Sequence, residues 1–385
     1  MSTEQYIVFG RPDIQAEEIA EVVDSLQRNW LGTGPKVKRF EQDFARYKGV
    51  EPDQVAAVNS CTAALHLSLL AAGIRPGDEV ITTAMTFCAT VNAIIHAGGT
   101  PVLVDVLPDT YNMDPADVMR KLTPRTRAIV PVHYSGNCCD MEAIMGIAGE
   151  HSLKVIEDCA HALESTYKGK ALGTFGDFGC FSFYATKNIT TGEGGMVVAK
   201  SEADISRIKT LALHGMSTDA WARFSDDGYR HYQVSEAGFK YNMMDLQAAI
   251  GIHQLARIEG GWAQRKALFQ VYCDAFADLP LQLPVADTGS SKAAYHLFPV
   301  LLHADAPLGR DQFMTACHKR GIGTGVHYLS IPSHPYYQDT FGWDPAHYPV
   351  ANRVGNTTVS LPFSPALSAG DIERIITTTR SLLLD

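Results

Sequence analysis

The chain has 385 residues, more than one hydrophobic core usually accommodates, so a large domain with a smaller one is expected. Apolar residues make up 46% of it and charged residues 19%, which is typical of a globular protein and excludes a disordered chain. The net charge is −10 and no cluster of lysine or arginine occurs, so neither nucleic acid nor an anionic membrane is expected as a partner.

Short β-branched runs alternate with helical periodicities from about residue 55 onward. The predicted strands cover residues 55–60, 79–83, 101–106, 127–133 and 153–157. The predicted helices between them cover residues 62–72, 87–97 and 140–151. This alternation indicates an α/β fold, whose large domain has a mainly parallel central sheet flanked by helices. The run at 153–157 is apolar throughout, as expected for a parallel strand covered on both faces.

The pattern changes after about residue 245. Two long helices are predicted at 245–258 and 262–276, with Gly260 and Gly261 as the break between them. The remainder has fewer strands and suits a smaller α+β C-terminal domain. The sequence therefore predicts an N-terminal segment at 1–30, a large α/β domain at 31–255 and a small domain at 256–385.

Eight cysteines are present, and none forms a C-x-x-C pair. Most lie in apolar surroundings, so buried and reduced thiols are expected rather than disulfides. The adjacent Cys138 and Cys139 lack the spacing of zinc ligands, so no metal site is predicted. The sequence has no secretion signal and no apolar run long enough to span a bilayer, which predicts a cytoplasmic protein.

Lys187 stands at the end of the apolar run SFYATK, just before the glycine-rich TGEGG. Lysine is rarely buried unless it is paired or reactive, and burial lowers its pKa and frees the lone pair. A lysine that forms a Schiff base needs that lone pair. Taken alone, however, Lys187 fits a surface lysine at the start of a β-hairpin better.

Asp158 and His161 follow the hydrophobic run that ends with Val155, Ile156 and Glu157. Open α/β sheets bind their ligands at the carboxyl ends of strands. An aspartate there can keep a pyridine nitrogen protonated, so that the ring withdraws electrons. Taken alone, Asp158 is at least as well explained as a cap of the following helix.

Two further features lie earlier on the same predicted sheet. The sequence NSCT, with Cys61 and Thr62, runs from a strand into a helix, whose first N–H groups can bind a phosphate. A plain helix cap would look the same. Phe87 begins the next helix after a strand and could lie over a planar ring, although a core aromatic is the default interpretation.

The combination is more specific than any single residue. A phosphate seat, an aromatic ring, a strand-end aspartate, Ser182 and Lys187 occur in that order on successive strand ends. Binding pyridoxal 5′-phosphate (PLP) requires anchoring its phosphate, stacking its ring, protonating its nitrogen and bonding its aldehyde. Neither the P-loop motif nor the dinucleotide glycine motif is present, so a nucleotide cofactor is not indicated.

These segments resemble the fold-type-I PLP enzymes of the DegT/DnrJ/EryC1/StrS sugar aminotransferase family. The resemblance covers nearly the whole chain. The matching segments are WLGTGPKVKRFEQDFARY, NSCTAALHLSLLAAGIRPGDEVIT, PVLVDVLPDTYNMDP, VIEDCAHALESTYKGKALGTFGDFGCFSFYATKNITTGEGGMVV, GFKYNMMDLQAAIGIHQL and GIGTGVHY.

The resemblance implies roles for the cofactor-binding residues. Lys187 would form the Schiff base with PLP and later move a proton between the substrate and the cofactor. Asp158 would face the pyridine nitrogen, and His161 would lie near the ring's 3-hydroxyl edge. The residues expected to hold the phosphate or stack on the ring are Cys61, Thr62, Ser182 and Phe87.

The resemblance also implies a shared active site in a homodimer, because the counterpart of Asn242 reaches the phosphate of the neighbouring subunit. Thr33, His327 and Tyr328 would border the sugar-nucleotide pocket. Cys61 stands where many members have glycine or alanine, but only its backbone N–H is needed there. Some members carry histidine in place of the lysine and act as dehydratases, so Lys187 favours transamination.

The resulting prediction is a PLP-dependent aminotransferase that moves an amino group from L-glutamate to a nucleotide-linked keto-sugar. The segment GFKYNMMD resembles the branch that aminates C4 of a UDP- or dTDP-linked sugar. The alternatives are a PLP-dependent sugar dehydratase, a cyclitol aminotransferase, and a PLP-binding regulator without catalysis. The absence of a basic DNA-binding segment argues against the regulator.

Overall fold

The computed structural model describes residues 5–216, 233–285 and 289–384. Its strands, in chain order, are β1 (Val55–Val58), β2 (Glu79–Thr83), β3 (Thr100–Val104), β4 (Thr126–Val130), β5 (Lys154–Asp158), β6 (Thr166–Tyr167), β7 (Lys170–Ala171), β8 (Phe178–Ser182), β9 (Gly195–Ala199), β10 (Leu281–Gln282), β11 (Ser291–Lys292), β12 (Phe298–Leu302) and β13 (Thr358–Leu361).

The helices of the described chain surround these strands. In chain order they are α1 (Ala16–Gln27), α2 (Pro35–Lys48), α3 (Cys61–Ala71), α4 (Cys88–His96), α5 (Pro115–Lys121), α6 (Met141–Glu150), α7 (Glu202–Ala212), α8 (Asp245–Ala256), α9 (Ile258–Phe276), α10 (Arg310–Lys319), α11 (Pro335–Phe341), α12 (Pro349–Thr357) and α13 (Ala369–Leu384). None of these helices is long and apolar enough to cross a membrane.

The main sheet has seven strands in the order β1-β9-β8-β5-β4-β2-β3. Only β9 runs against its neighbours β1 and β8, and the other adjacent pairs are parallel. The carboxyl ends of β1, β5 and β8 therefore lie at one edge of the sheet. The prediction of an α/β fold with a mainly parallel sheet is confirmed.

Both faces of this sheet are covered by helices, as the apolar β5 run predicted. Val155 of β5 packs into one core and the next residue, Ile156, into the other, because alternate side chains of a strand point to opposite faces. The first core includes side chains of α2, α6 and α8, and the second includes side chains of α3, α4 and α7. This double covering fixes the strand ends on which the site is built.

The C-terminal part of the chain forms a separate three-stranded sheet in the order β10-β12-β13. Phe298 of β12 lies in a core with Tyr272 and Phe276 of α9 and Phe313 of α10. Ile7 joins the same core, and its N–H donates to the carbonyl of residue 321 at 2.9 Å. A smaller α+β unit is therefore present. The three domain ranges stay a prediction, and residues 1–4, 217–232, 286–288 and 385 within them lie outside the described chain.

The predicted helix break at Gly260 and Gly261 is wrong, because both residues lie inside α9. The break falls at Arg257, which leaves helical geometry with φ −109° and ψ 11°. Arg257 is tied to the N-terminal segment, since Nη2 donates to the carbonyl oxygen of Asp13 at 2.7 Å and Nη1 pairs with Glu18. A glycine in a helix costs only about 1 kcal/mol, and tertiary contacts outweigh that cost.

Candidate active site

The loop that carries Lys187 connects β8 to β9. Its base is closed by two backbone hydrogen bonds, from Phe183 N–H to the carbonyl of Gly194 at 2.9 Å and from Thr191 N–H to the carbonyl of Phe183 at 2.9 Å. Inside the loop, Lys187 N–H donates to the carbonyl of Tyr184 at 2.9 Å. The loop is therefore a fixed turn at the carboxyl edge of the sheet.

The Lys187 amine lies in a poorly solvated position. Burial lowers its pKa to about 8, and the nearby Cys61 and Asp158 offset only part of that shift. With a pKa of about 8, about one amine in ten is neutral at pH 7, against fewer than about one in a thousand for an ordinary lysine. Lys187 is thus prepared to act as a nucleophile towards a carbonyl group.

Asp158 ends β5 with its side chain buried. Its Oδ2 accepts a hydrogen bond from Thr90 Oγ1 at 2.8 Å, and its Oδ1 accepts from Ala160 N–H at 3.1 Å. Burial raises the pKa of this carboxyl, although the bonds from Thr90 and Ala160 and the charge on Lys187 partly offset it. A buried carboxylate of this kind attracts a cationic ligand atom strongly.

His161 is buried and hydrogen-bonded at both ring nitrogens. Ser135 N–H donates to Nδ1 at 3.2 Å, so the proton of the neutral ring is assigned to Nε2. Nε2 then donates to the Tyr328 hydroxyl oxygen at 2.9 Å. Burial lowers the pKa of His161 well below its usual value, and the charge on Lys187 adds to that effect. His161 is therefore a neutral imidazole of defined tautomer.

The phosphate site is predicted at the N-terminus of α3, and this end of the helix is capped by the side chain of Ser60. The side-chain oxygen of Ser60 accepts from Ala63 N–H at 3.1 Å, and α3 begins at Cys61, followed by the exposed Thr62. Ser182 pairs with Gly195 in the β8–β9 register. Gly195 in turn lies against Ser60 and Cys61, so Ser182 and the helix end are close neighbours.

Gly195 is required by this close approach. A Cβ atom there would lie 2.5 Å from the carbonyl carbon and oxygen of Ser60 and 2.7 Å from Cys61 N. All three are backbone atoms, so they cannot move aside as a flexible side chain would. Because Gly195 has no side chain, the start of β9 can pack directly against the start of α3, where the phosphate site is predicted.

Phe87 is 57% exposed although it directly precedes α4, in which Thr90, Val91, Ala93 and Ile94 are buried. Its ring centroid lies 5.7 Å from that of Tyr328, with the planes tilted by 42°. An exposed aromatic ring in this position can cover a planar ligand. The default interpretation of Phe87 as a core aromatic is wrong, because more than half of its side chain is exposed.

His327 and Tyr328 lie beside this group of residues. His327 Nδ1 is 2.9 Å from Ser360 Oγ, and the Tyr134 hydroxyl donates to the His327 carbonyl. Burial lowers the pKa of His327 to about 4, and the charge on Lys187 contributes. Tyr328 contacts both His161 and Phe87. Both predicted pocket residues therefore lie beside the group formed by Lys187, Asp158 and His161.

Thr33 and Asn242 form a second group. Asn242 Nδ2 donates to Thr33 Oγ1 at 2.7 Å, and that hydroxyl donates to the carbonyl of Met243 at 2.5 Å. Both hydrogen-bonding directions of the Thr33 hydroxyl are therefore used within the chain. Asn242 Oδ1 is buried, with no partner in the described part of the chain.

A buried polar cluster lies beside Asp158, around the preceding residue. The ligand-type atoms of His133, Glu157 and Cys159 lie within 4.8 Å of one another. The Glu157 oxygens accept bonds from three backbone N–H groups, those of residues 173, 175 and 176, and lie 3.3 Å from His133 Nε2. Because these partners already satisfy the carboxylate, the cluster serves to pin the loop at 173–176 to the end of β5.

Sequence reasoning missed Thr90 and the polar residues behind Lys187. Thr90 follows Phe87 by three positions, and residues three apart lie on the same face of a helix. This spacing could have placed Thr90 on the same side as Phe87 and therefore near the site. Asn188, His296 and Arg265 carry no comparable signal, because their contacts join distant parts of the chain.

The residues gathered at this edge fit PLP. They offer a nucleophilic amine at Lys187, a buried carboxylate at Asp158, an exposed ring at Phe87, and helix N–H groups beside Ser182. The fold and this site together define a fold-type-I PLP-dependent enzyme.

Comparison with known proteins agrees. The model of the DegT/DnrJ/EryC1/StrS aminotransferase family matches residues 12–380. The chain belongs to this family of PLP-dependent sugar aminotransferases. It is 44% identical over 382 residues to the spore coat polysaccharide biosynthesis protein SpsC of Bacillus subtilis. This alignment covers 98% of the present chain and 97% of SpsC.

Solved structures show the same likeness. The PLP form of Spr1654 from Streptococcus pneumoniae superposes with a TM-score of 0.91 at 32% identity, covering 98% of both chains. Helicobacter pylori PseC, an aminotransferase involved in the biosynthesis of pseudoaminic acid, superposes with a TM-score of 0.90 at 28% identity, covering 99% of this chain and all of PseC. The enzyme class and the PLP cofactor predicted from the sequence are thereby confirmed.

Proposed function

We propose that this enzyme transfers an amino group from L-glutamate to the ketone of a nucleotide-linked sugar, at C4 of a UDP- or dTDP-linked sugar. The observation that carries the proposal is the placement of a readily deprotonated Lys187 beside the buried Asp158 and the neutral His161. The names of SpsC and PseC, which refer to polysaccharide and pseudoaminic acid biosynthesis, support a sugar as the acceptor.

In this proposal Lys187 would hold the cofactor through its aldehyde carbon. Once an amino substrate displaced it, the free Lys187 amine would carry a proton to and from the substrate carbon. When bound, PLP supplies a conjugated ring that accepts the electron pair released at that carbon. Asp158 holds a proton on the ring nitrogen, and its burial strengthens the attraction. Thr90 fixes the rotation of the Asp158 carboxylate through the 2.8 Å hydrogen bond.

The other residues orient the cofactor and the sugar. The N–H groups of Cys61 and Thr62 and the hydroxyl of Ser182 hold the phosphate, and Phe87 covers the ring. His161, with its proton on Nε2, lies near the ring's 3-hydroxyl edge. The residues that we place around the sugar are Thr33, His327 and Tyr328.

We further propose a homodimer in which Asn242 reaches the phosphate of the neighbouring subunit. The Asn242 side-chain nitrogen has two protons, and its bond to Thr33 Oγ1 uses one, which leaves the other able to donate to a phosphate oxygen. Mixing Lys187→Ala and Asn242→Ala subunits tests it, because a heterodimer with shared sites contains one intact site. Activity should return on mixing, and its continued absence would place Asn242 in the site of its own subunit.

We also propose that the enzyme works in the cytoplasm. All eight cysteines are free thiols, and reducing compartments maintain that state. Cytoplasmic extracts should therefore contain the transaminase activity, whereas activity confined to a secreted fraction would contradict the proposal.

The substrate proposal is tested by offering glutamate with 4-keto and 3-keto sugars linked to UDP or dTDP. We expect one 2-oxoglutarate for each amino sugar formed, with the 4-keto substrates preferred. The Lys187→Ala variant serves as the blank. Release of ammonia without 2-oxoglutarate would indicate a lyase, and a preference for 3-keto sugars would contradict amination at C4.

A further inference from the structure

Asn188, the residue directly after Lys187, is held by a set of buried hydrogen bonds. Its Nδ2 lies 3.1 Å and 2.9 Å from the two carboxylate oxygens of Glu164 and 3.1 Å from the carbonyl of Ala294. On the other side, its Oδ1 lies 2.8 Å from His296 Nδ1. The amide is thus fixed from both sides.

These contacts determine the tautomer of His296. The Asn188 nitrogen faces acceptors only, so its oxygen must be the acceptor in the bond with His296. His296 Nδ1 therefore carries the proton and donates. Burial lowers the pKa of His296 well below its usual value, and the charge on Lys187 adds to the effect, so the ring is neutral.

His296 also supports His161. The two ring centroids lie 4.5 Å apart, with the planes tilted by 41°. The peptide groups of Ser135 connect them, since His296 N–H donates to the Ser135 carbonyl at 3.2 Å and Ser135 N–H donates to His161 Nδ1 at 3.2 Å. Ser135 has a left-handed backbone with φ 57°, which points both groups at the histidines.

Glu164, which accepts from Asn188, also forms an ion pair with the C-terminal part of the chain. Arg265 of α9 pairs with Glu164, and their side chains are only 3% and 0% exposed. Arg265, Asn188, His296 and Lys187 all line one cavity of about 190 Å³. A chain of contacts therefore runs from α9 through Glu164 and Asn188 to His296 and His161.

We propose that His296 is a positioning residue, which holds Asn188 and thereby the backbone of Lys187, and which supports the ring of His161. The inference rests on the proposed role of Lys187 as the cofactor anchor. His296 belongs to the C-terminal part of the chain. It fixes the positions of Asn188 and His161 and does not itself bind the cofactor. The titratable groups that influence Lys187 electrostatically are Cys61, Asp158, His161, His296 and His327.

Two amide substitutions at His296 distinguish an effect of its hydrogen bond to Asn188 from an effect of side-chain size. Asparagine can place its nitrogen near the position of Nδ1, whereas glutamine places its nitrogen near Nε2. His296→Asn should therefore keep the bond to Asn188, and His296→Gln should lose it. His296→Phe keeps a ring against His161 but cannot donate. His66→Phe is the matched control, because His66 is a buried histidine that packs against Phe239 elsewhere in the fold.

The readouts are the PLP dissociation constant and the pH midpoint for rebinding PLP to the cofactor-free enzyme. For His296→Gln and His296→Phe, we expect the dissociation constant to rise about tenfold, the effect of losing one buried hydrogen bond. The pH midpoint should rise by about one unit, since a loosened Lys187 becomes better solvated. His66→Phe should stay within about twofold of the wild type, and His296→Asn, which keeps the bond to Asn188 but loses the ring contact with His161, should weaken PLP binding by no more than about threefold.

Wild-type behaviour of the glutamine and phenylalanine variants would overturn the inference, and so would an asparagine variant as impaired as they are. Melting temperatures recorded alongside identify a variant that fails to fold. Failure of the proposed anchor is a different result, in which PLP reduced onto the wild-type enzyme is found on a residue other than Lys187.

Discussion

Thr90 Oγ1 lies 2.8 Å from Asp158 Oδ2, although the two residues are 68 positions apart in the chain. Thr90 Oγ1 is in turn 2.8 Å from Thr86 Oγ1, so the contact belongs to a short chain of hydroxyl groups. The start of α4 thereby fixes the carboxylate at the end of β5, which is the group proposed to face the cofactor nitrogen.

Replacing Thr90 by valine keeps the shape of the side chain and removes the hydroxyl. Asp158 then loses one hydrogen bond, and bonds to charged groups contribute about 1.5–3 kcal/mol. We expect kcat/KM to fall about 10- to 100-fold, with Thr90→Ser close to the wild type. Thr82→Val is the control, because Thr82 donates a buried bond to the carbonyl of Val130 at 2.9 Å. An equal activity loss in both variants would contradict the role of Thr90.

The expectation that Asp158 caps a following helix is wrong, because β5 is followed by a turn and then by β6. Asp158→Asn therefore separates the proposed electrostatic role from a structural role in that turn, where Oδ1 accepts from Ala160 N–H. Asparagine keeps an oxygen that can accept from Ala160 N–H but cannot neutralise a cationic ring. Turnover should fall by about 100-fold or more, while the free energy of unfolding of the cofactor-free protein changes by less than about 1 kcal/mol. Denaturant melts and steady-state rates measure the two effects. Loss of the fold with full activity in the remaining folded fraction would favour a purely structural role of Asp158 in the turn after β5.

Gly195→Ala tests the seat for the phosphate. The new Cβ would lie within 2.7 Å of backbone atoms of Ser60 and Cys61, so β9 or α3 must shift. We expect the free energy of unfolding to drop by about 1–3 kcal/mol and PLP binding to weaken at least tenfold. Gly146→Ala in α6 is the control, because nothing lies within 4 Å of its Cβ position. Wild-type PLP binding in Gly195→Ala would refute the close approach.

The lowered pKa of Lys187 predicts how the cofactor-free enzyme rebinds PLP. Only the neutral amine attacks the aldehyde, so the second-order rate should rise with pH and level off above a midpoint of about 8. A small lysine analogue measured in parallel should show a midpoint of about 10.4 and corrects for ionisation of PLP. A protein midpoint equal to that of the analogue would show that Lys187 is not desolvated.

The sequence identified the features that depend on local pattern. The β5 run with Asp158 at its end and the loop with Lys187 were predictable, because a buried strand needs an apolar run and open α/β sheets place ligands at strand ends. The family resemblance then connected these residues with Phe87 and Tyr328, and the structure places all four together.

Contacts between distant residues were beyond the sequence. The bonds from Thr90 to Asp158 and from His296 to Asn188 span 68 and 108 positions, and a polar residue does not reveal its partner. The break between α8 and α9 was misplaced for the same reason, since the tie from Arg257 to Glu18 spans 239 positions.

The central claim is that Lys187 is the residue that holds PLP. Reducing the holoenzyme with borohydride and mapping the peptides by mass spectrometry tests it most directly. Lys48 is the internal control, because it is a second buried lysine whose pKa burial also lowers to about 8. We expect the pyridoxyl group on Lys187, with Lys48 unlabelled and Lys48→Met still active. A pyridoxyl group on another lysine, or wild-type turnover by Lys187→Ala, would contradict the account.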